Sequence, residues 1–261
     1  MEKIRKYPRT PHIEGSRLQP GDEDLSQIPF DAVKGRHLVV EEKCDGANSA
    51  VSFDPGGGLL LQSRGHYLTG GRRERHYNLM KQWAAARRDE LFGLLGTRYI
   101  MYGEWVYARH TVFYDALPHY FLEFDILDRE TGAFLDTPSR RTLLKGSSVV
   151  SVPVLGEGRY ETKAEMLKLL GKSGYITVNQ RRNLYDAAVR QGLDPEKICG
   201  EADLSGMMEG LYIKIEEGGQ VAGRMKYVRA AFLQCVDFSE THWLDKPIIP
   251  NQLAVPVESL L

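Results

Sequence analysis

The sequence predicts an α+β fold of antiparallel sheets flanked by helices. Three observations predict it. Segments rich in β-branched and aromatic residues are interspersed with amphipathic stretches, segregated and without the strict alternation that parallel sheets need. The glycine clusters Pro55-Gly56-Gly57-Gly58 and Gly218-Gly219 lie between neighbouring strand-like runs at hairpin spacing. With 42% hydrophobic residues in 261, the chain can bury a sizeable core.

Residues 1–36, rich in proline, glycine and charge, read as an irregular N-terminal arm draped over the domain, with His12 and Arg17 as polar residues of open role. Strands are expected over His37 to Glu41, Asn48 to Phe53 and Leu59 to Ser63, the last two forming a hairpin, so that Lys43 falls between paired strands. From His76 to Leu95 the spacing of Leu79, Trp83, Leu91 and Leu94 predicts one amphipathic helix, with Trp83 in the core. Tyr99 to Tyr107 and His119 to Leu127 read as buried strands. Thr137, an N-cap with Pro138 at the first helical position, opens a short helix through Lys145. Thr162 and Glu165 form a capping box for a helix over Glu161 to Leu170, and Asn179 to Gln191 is another helix. Gly210 to Ile215 and Gln220 to Tyr227 are the last strands. Residues 37–238 thus form one domain, and 239–261, with Pro247, Pro250 and Pro256, form a short tail with no full C-terminal second domain.

The 34 Lys and Arg against 35 Asp and Glu give a net charge of -1, which excludes a global attraction to nucleic acid. Such binding would need local clusters. Arg72, Arg73 and Arg75, then the pairs Arg87-Arg88, Arg140-Arg141 and Arg181-Arg182, either contact phosphates or lie on solvated faces balanced by acids. Cys44, Cys199 and Cys235 are too scattered for a disulfide framework or a thiol zinc site. No signal-peptide core or membrane-length apolar run is present in the sequence, so a cytoplasmic protein with no membrane partner is expected.

Lys43, between a strand-like run and the Asp45-Gly46 turn, is the candidate nucleophile. Alone it could equally be a surface turn. Acids recur inside buried strands. Glu104, in Met101 to Val106, needs a partner: a paired core cation, a ribose hydroxyl or a metal-bound water. Phe124 stands beside Asp125, and Glu209 precedes a strand with Lys214 five residues on. Arg224 and Lys226, at spacing two, share one strand face and suit a phosphate. Lys43, Arg64, Glu104, Phe124, Glu209 and Lys226 together form the inventory of a nucleotidyl-transfer site.

In their order and intervals these residues resemble the covalent nucleotidyltransferase superfamily of polynucleotide ligases and capping enzymes, most closely its RNA ligase 2-like branch of ATP-dependent RNA ligases. The matching motifs are Lys43-Cys44-Asp45-Gly46, Ser63-Arg64, Gly103-Glu104, Phe124-Asp125, Glu209-Gly210 through Lys214, and Lys226. Asn48 stands where DNA ligases and capping enzymes usually carry arginine, and RNA ligase 2-like enzymes asparagine. Asp45 replaces a histidine found in some members, and Arg224 a lysine. The resemblance implies an ATP-grasp-like ligase domain with ATP as substrate and magnesium or manganese as cofactor.

It implies further that Lys43 forms a lysyl-AMP, passes AMP to an RNA 5′-phosphate and so permits sealing to a 3′-hydroxyl. Lys226 and Glu209 would assist, with Glu209 and Glu104 as metal ligands. Arg64 and Glu104 would hold the ribose and Phe124 the adenine, with Glu41 or Glu42 at its amino edge. Asn48, Lys214 and Arg224 would lie at phosphates, Lys214 alternatively on the surface. Lys226 and Arg224, or a metal, would lower the Lys43 pKa. The partners implied are RNA ends or a nicked duplex, with a repair protein to assist sealing. The alternatives are a DNA ligase, a capping guanylyltransferase, or a non-catalytic nucleotide- or RNA-binding module of the same fold.

Overall fold

Strand pairing gathers the β-segments into two sheets that meet at the Cys44-Asp45-Gly46 crossover. The structure, a computed structural model, describes residues 3–18, 22, 26–237 and 247–261, without the side chains of Arg72, Arg73 and residues 234–237. The start of the expected tail at Ser239 and the Cys235 side chain lie outside this set.

The first sheet has the order β2-β1-β11-β10-β3-β9, with β1 His12–Ile13, β2 Gln27–Ile28, β3 His37–Lys43, β9 Val154–Arg159, β10 Gly210–Glu217 and β11 Gln220–Val228. The second has the order β5-β4-β6-β7-β8, with β4 Ala47–Phe53, β5 Leu59–Ser63, β6 Tyr99–Trp105, β7 Phe121–Asp128 and β8 Val150–Ser151. Most pairings are antiparallel, while β1 pairs parallel with β11 and β2, and β8 parallel with β7. Lys43 therefore does not sit between paired strands. It ends β3 in one sheet, and the chain crosses at once to β4 in the other. Gly46 is required there, because a Cβ would lie 2.8 Å from the Trp105 carbonyl oxygen.

The N-terminal stretch is less irregular than expected. Besides supplying β1 and β2, it buries Ile13, Phe30 and Val33 in an apolar cluster with Leu38, Val40, Leu211, Ile213 and Met225. The alternation of β10 explains this cluster: Leu211, Ile213 and Ile215 face it, leaving Tyr212 and Lys214 on the face turned toward the second sheet.

Helices cover the second sheet and one end of the domain. The expected single helix over His76 to Leu95 is a 3-10 turn at Arg72–Tyr77 followed by two helices, α1 Asn78–Ala86 and α2 Arg88–Leu95. The break falls at Arg87, with φ -98° and ψ 17°, whose side chain donates to the carbonyls of Ser259 and Leu260. Trp83 is buried against Phe121, their ring centroids 5.1 Å apart.

Helix α3, Thr137–Leu143, is capped by Asp136, whose carboxylate accepts from the Ser139 amide. Thr137 is thus the first helical residue, and its hydroxyl donates instead to Glu216 at 2.6 Å. In α4, Lys163–Leu167, Thr162 does accept from the Glu165 amide, but the Glu165 carboxylate accepts from Glu161, one residue earlier than a reciprocal box would require. Helix α5, Gln180–Arg190, packs with α6, Pro195–Gly200, in a third apolar cluster with Phe113 and Ile249. Helix α7, Ala230–Asp237, follows β11. Helix α6 and the strand β9 have weak periodicity and were not predicted.

Candidate active site

Cross-strand register builds one polar wall of a cleft. On the first sheet Lys43 pairs with Gly210, Glu41 with Tyr212, and Tyr212 in turn with Lys226, so these side chains rise from one face of β3, β10 and β11. Gly210 admits no other residue, because a Cβ would lie 1.9 Å from the Tyr227 carbonyl oxygen. That close approach fixes Glu209, just before the start of β10, within reach of Lys43. On the second sheet Asn48 of β4 pairs with Glu104 of β6 and faces the same space.

The cleft between the sheets has a volume of about 580 Å³, within the range of small-ligand sites. Glu41, Glu42, Lys43, Asn48, Arg64, Glu104, Phe124, Glu209 and Lys226 all line it. Lys214 and Arg224 do not. Lys214 is fully buried, neither a surface lysine nor a cleft residue; it donates to Glu41 at 3.1 Å and to the Phe124 carbonyl, and is ion-paired with Asp125 at 3.2 Å. Arg224 pairs with Asp125 at 3.4 Å and lies 4.2 Å from the Phe134 ring centroid. Both sit beside Asp125, which also accepts from Tyr7.

The Lys43 ammonium donates to Glu209 at 2.8 Å, with the lysine side chain 21% and the glutamate 2% exposed. Burial alone would push the Lys43 pKa down, but Glu209, Glu104 and Asp45 outweigh it and raise it. This corrects the expected depression by Lys226 and Arg224, since the three acids outweigh burial at the amine. The acids carry the reciprocal strain. Burial pushes Glu104 up to about 8, Lys43 opposing it and Glu209 and Asp45 adding to it. Burial likewise raises Glu209 to about 6. Glu42, which accepts from the Ser173 hydroxyl at 2.5 Å, is raised by burial to about 7. Asp45 is pinned by the amides of Thr111 and Val112, each at 2.7 Å.

Sequence reading missed the aromatic and imidazole lining. Tyr7 and Thr10 arrive from the N-terminal stretch, and Tyr7 packs edge-on against Phe124 with ring centroids 5.1 Å apart. Tyr212, His66, His76, Tyr77 and His110 also line the cleft. Tyr212 was available from strand alternation, two residues before Lys214; Tyr7 gives no local signal. Of the arginines read either as phosphate contacts or as faces balanced by acids, several have acidic partners. Arg140 is buried and donates to Glu41 at 2.6 Å and to Glu123 at 2.8 Å, whereas exposed Arg141 lies 3.8 Å from Glu157. Arg181 and Arg182 lie near Glu196 and Asp186, and Arg88 near Asp89.

A hard divalent cation fits the donor set. Glu104 and Glu209 are carboxylates whose proton affinity is raised by removal from solvent and by their mutual repulsion, a repulsion that a cation between them would relieve. Among the described residues no group of three or more His, Cys, Asp or Glu could hold a metal ion, so protein groups would supply only part of a coordination shell. Such partial coordination is usual for magnesium bound with phosphates. Among the described residues no helix is long and apolar enough to cross a membrane.

A family model described as RNA ligase matches residues 36–228. Among solved structures, a mutant of Naegleria gruberi RNA ligase without ligand aligns with a TM-score of 0.54 and 20% identity, covering 88% of this chain and 57% of that one. A second mutant of the same protein, with ATP and Mn, aligns with a TM-score of 0.53 and 19% identity over 88% of this chain and 58% of that one. The chain spans a little over half the length of these structures. Among curated proteins nothing matches.

Proposed function

The chain belongs to the RNA ligase family, and from that premise we propose that it is an ATP-dependent RNA ligase working through a lysyl-AMP on Lys43. The observation that carries this reading is the Lys43 amine, partly exposed in a nucleotide-sized cleft, held 2.8 Å from Glu209 and facing Lys226 and Glu104 across it. An amine that is merely a surface turn has no reason to be surrounded by buried carboxylates from both sheets.

The resting amine carries its proton and has to lose it before attack. Glu209 is the nearest acceptor, and its raised affinity, to about 6, narrows the gap for that transfer. The lone pair of Lys43 then forms a bond to the α-phosphorus of ATP, the bond to the bridging oxygen breaks, and pyrophosphate leaves with its electrons. Lys226 neutralises charge on the phosphate. Phe124, packed edge-on by Tyr7, offers the adenine a stacking face, and Glu42 or Glu41 lies at the base edge. Glu104 and Arg64 meet the ribose, and Asn48 the phosphate.

Magnesium or manganese, held by Glu104 and Glu209, would supply positive charge that lowers the amine's proton affinity and screens the phosphates. In the next steps an RNA 5′-phosphate oxygen attacks the lysyl-AMP phosphorus and frees Lys43. An RNA 3′-hydroxyl then attacks the activated 5′-phosphate and releases AMP. Glu41 is held by Arg140 and Lys214, which makes those two cations positioning residues beneath the base site. The physiological setting that fits is repair of RNA ends or nicked duplexes in the cytoplasm, with a partner protein to assist sealing.

The test is the joining of 5′-labelled RNA with ATP and magnesium, alongside the same reaction with nicked DNA and with GTP in place of ATP. RNA joining that requires ATP supports the reading. Sealing of DNA alone, or labelling by GTP alone, would move the protein to one of the related activities.

A further inference from the structure

Beside the nucleotide cleft, three nitrogen donors from the N-terminal stretch and β11 converge on a single carboxylate. Asp22 accepts from Lys226 Nζ, from His12 Nε2 at 3.2 Å and from Arg9 Nη2 at 3.4 Å. His12 and Lys226 are register partners on the parallel strands β1 and β11, so their side chains lie side by side. His12 is fully buried, with the Ser16 hydroxyl beside it. That oxygen accepts from the Val228 amide at 2.9 Å and lies 2.6 Å from His12 Nδ1, while Nε2 faces the Asp22 carboxylate, which can only accept, so Nε2 carries the N–H aimed at Asp22.

A guanidinium, an imidazole N–H and an ammonium directed at one anion form the kind of donor set with which proteins grip phosphate. Lys226 lines the cleft, as do Pro8 and Thr10 on either side of Arg9, while Arg9, His12 and Asp22 lie behind that lining, so this donor set meets the space around Lys43 through Lys226. Burial pushes the Asp22 carboxyl up, but Lys226 and His12 outweigh it and hold it below its ordinary value, so Asp22 is an anion at neutral pH.

We propose that Arg9, His12 and Lys226 form a phosphate subsite next to Lys43, and that Asp22 is its internal occupant, which an incoming phosphate group displaces. The identity of the guest rests on the ligase reading: the γ-phosphate of ATP or the 5′-phosphate of RNA. Both present the same doubly charged oxygen cluster to the same donors. The N-terminal stretch is then part of the substrate site, and Asp22 sets a threshold that only a more highly charged anion overcomes.

The subsite is tested without catalysis by calorimetric titration of the full chain with inorganic pyrophosphate. Asp22→Asn removes the competing charge and should bind on the order of tenfold more tightly than the parent protein. Arg9→Ala, whose side chain is 43% exposed and whose loss leaves the core intact, should bind several-fold more weakly. Unchanged affinity in both variants would overturn the proposal.

Two further measurements separate the sources. A lower KM for ATP in Lys43 labelling by Asp22→Asn assigns the subsite to the triphosphate. A lower RNA requirement for AMP transfer, with the KM for ATP unchanged, assigns it to the RNA 5′-phosphate. If the parent protein forms no lysyl-AMP at all, the ligase reading fails while the pyrophosphate titration still decides the subsite.

Discussion

Arg140 joins the two sheets through charge, and its removal should be among the costliest single substitutions outside the cleft. Its guanidinium, 3% exposed, donates to Glu41 on β3, to Glu123 on β7 and to the Phe124 carbonyl. In Arg140→Met the two acids do not fare alike. Glu41 keeps Lys214 at 2.9 Å, whereas Glu123 loses its ion-pair partner and keeps the Ser151 hydroxyl at 2.6 Å and the longer-range attraction of Lys214, so it becomes a poorly compensated buried charge. Breaking a buried pair in this way costs about 3–5 kcal/mol. Replacing Glu123 as well, in Arg140→Met with Glu123→Gln, removes the orphaned charge and should recover a large share of the loss. Urea unfolding followed by circular dichroism measures both. A loss below about 1 kcal/mol in Arg140→Met, or no recovery in the double variant, would refute the view that this arginine is held by desolvated acids.

Two other substitutions probe the cleft. Burial holds Glu104 protonated up to about pH 8 in the fold, against 4.5 for an ordinary glutamate, so its contribution to stability is present at low pH and is lost as pH rises through that window. Glu104→Gln should therefore melt at a higher temperature than the parent at pH 8, with the difference shrinking toward pH 5; a difference independent of pH would contradict the assigned burial. Phe124→Ala should raise the KM for ATP in lysine labelling by roughly tenfold, the value of one lost base-stacking face. An unchanged KM would show that adenine does not stack there.

The fold was legible where alternation or turn chemistry is strong. The strand at Leu59–Ser63 falls as expected, as does the hairpin over Gly218-Gly219. It was not legible where distant groups decide. Arg140 and Arg141 are adjacent and chemically identical in the sequence, yet one is buried among acids and the other is solvated, because only one faces the gap between the sheets. The break at Arg87 coincides with side-chain contacts to the distant residues Ser259 and Leu260, which helical periodicity cannot register.

At the site, the order of Lys43, Glu104, Phe124, Glu209 and Lys226 along the chain sufficed to gather residues that the fold brings to one cleft. Their electrostatics were not legible. Lys226 and Arg224 were expected to lower the Lys43 proton affinity, but in space it is governed by carboxylates from β6, from just before β10 and from Asp45. The raised proton affinity of the amine, and the need to offset it before attack, follow from that arrangement.

The central claim is that Lys43 takes AMP from ATP. Incubation with α-labelled ATP and magnesium or manganese, followed by a denaturing gel, tests it most directly. The expected result is an acid-labile label on the protein that is absent with labelled GTP and lost in folded Lys43→Ala. No label with any divalent cation, or a label that persists in Lys43→Ala, would contradict it.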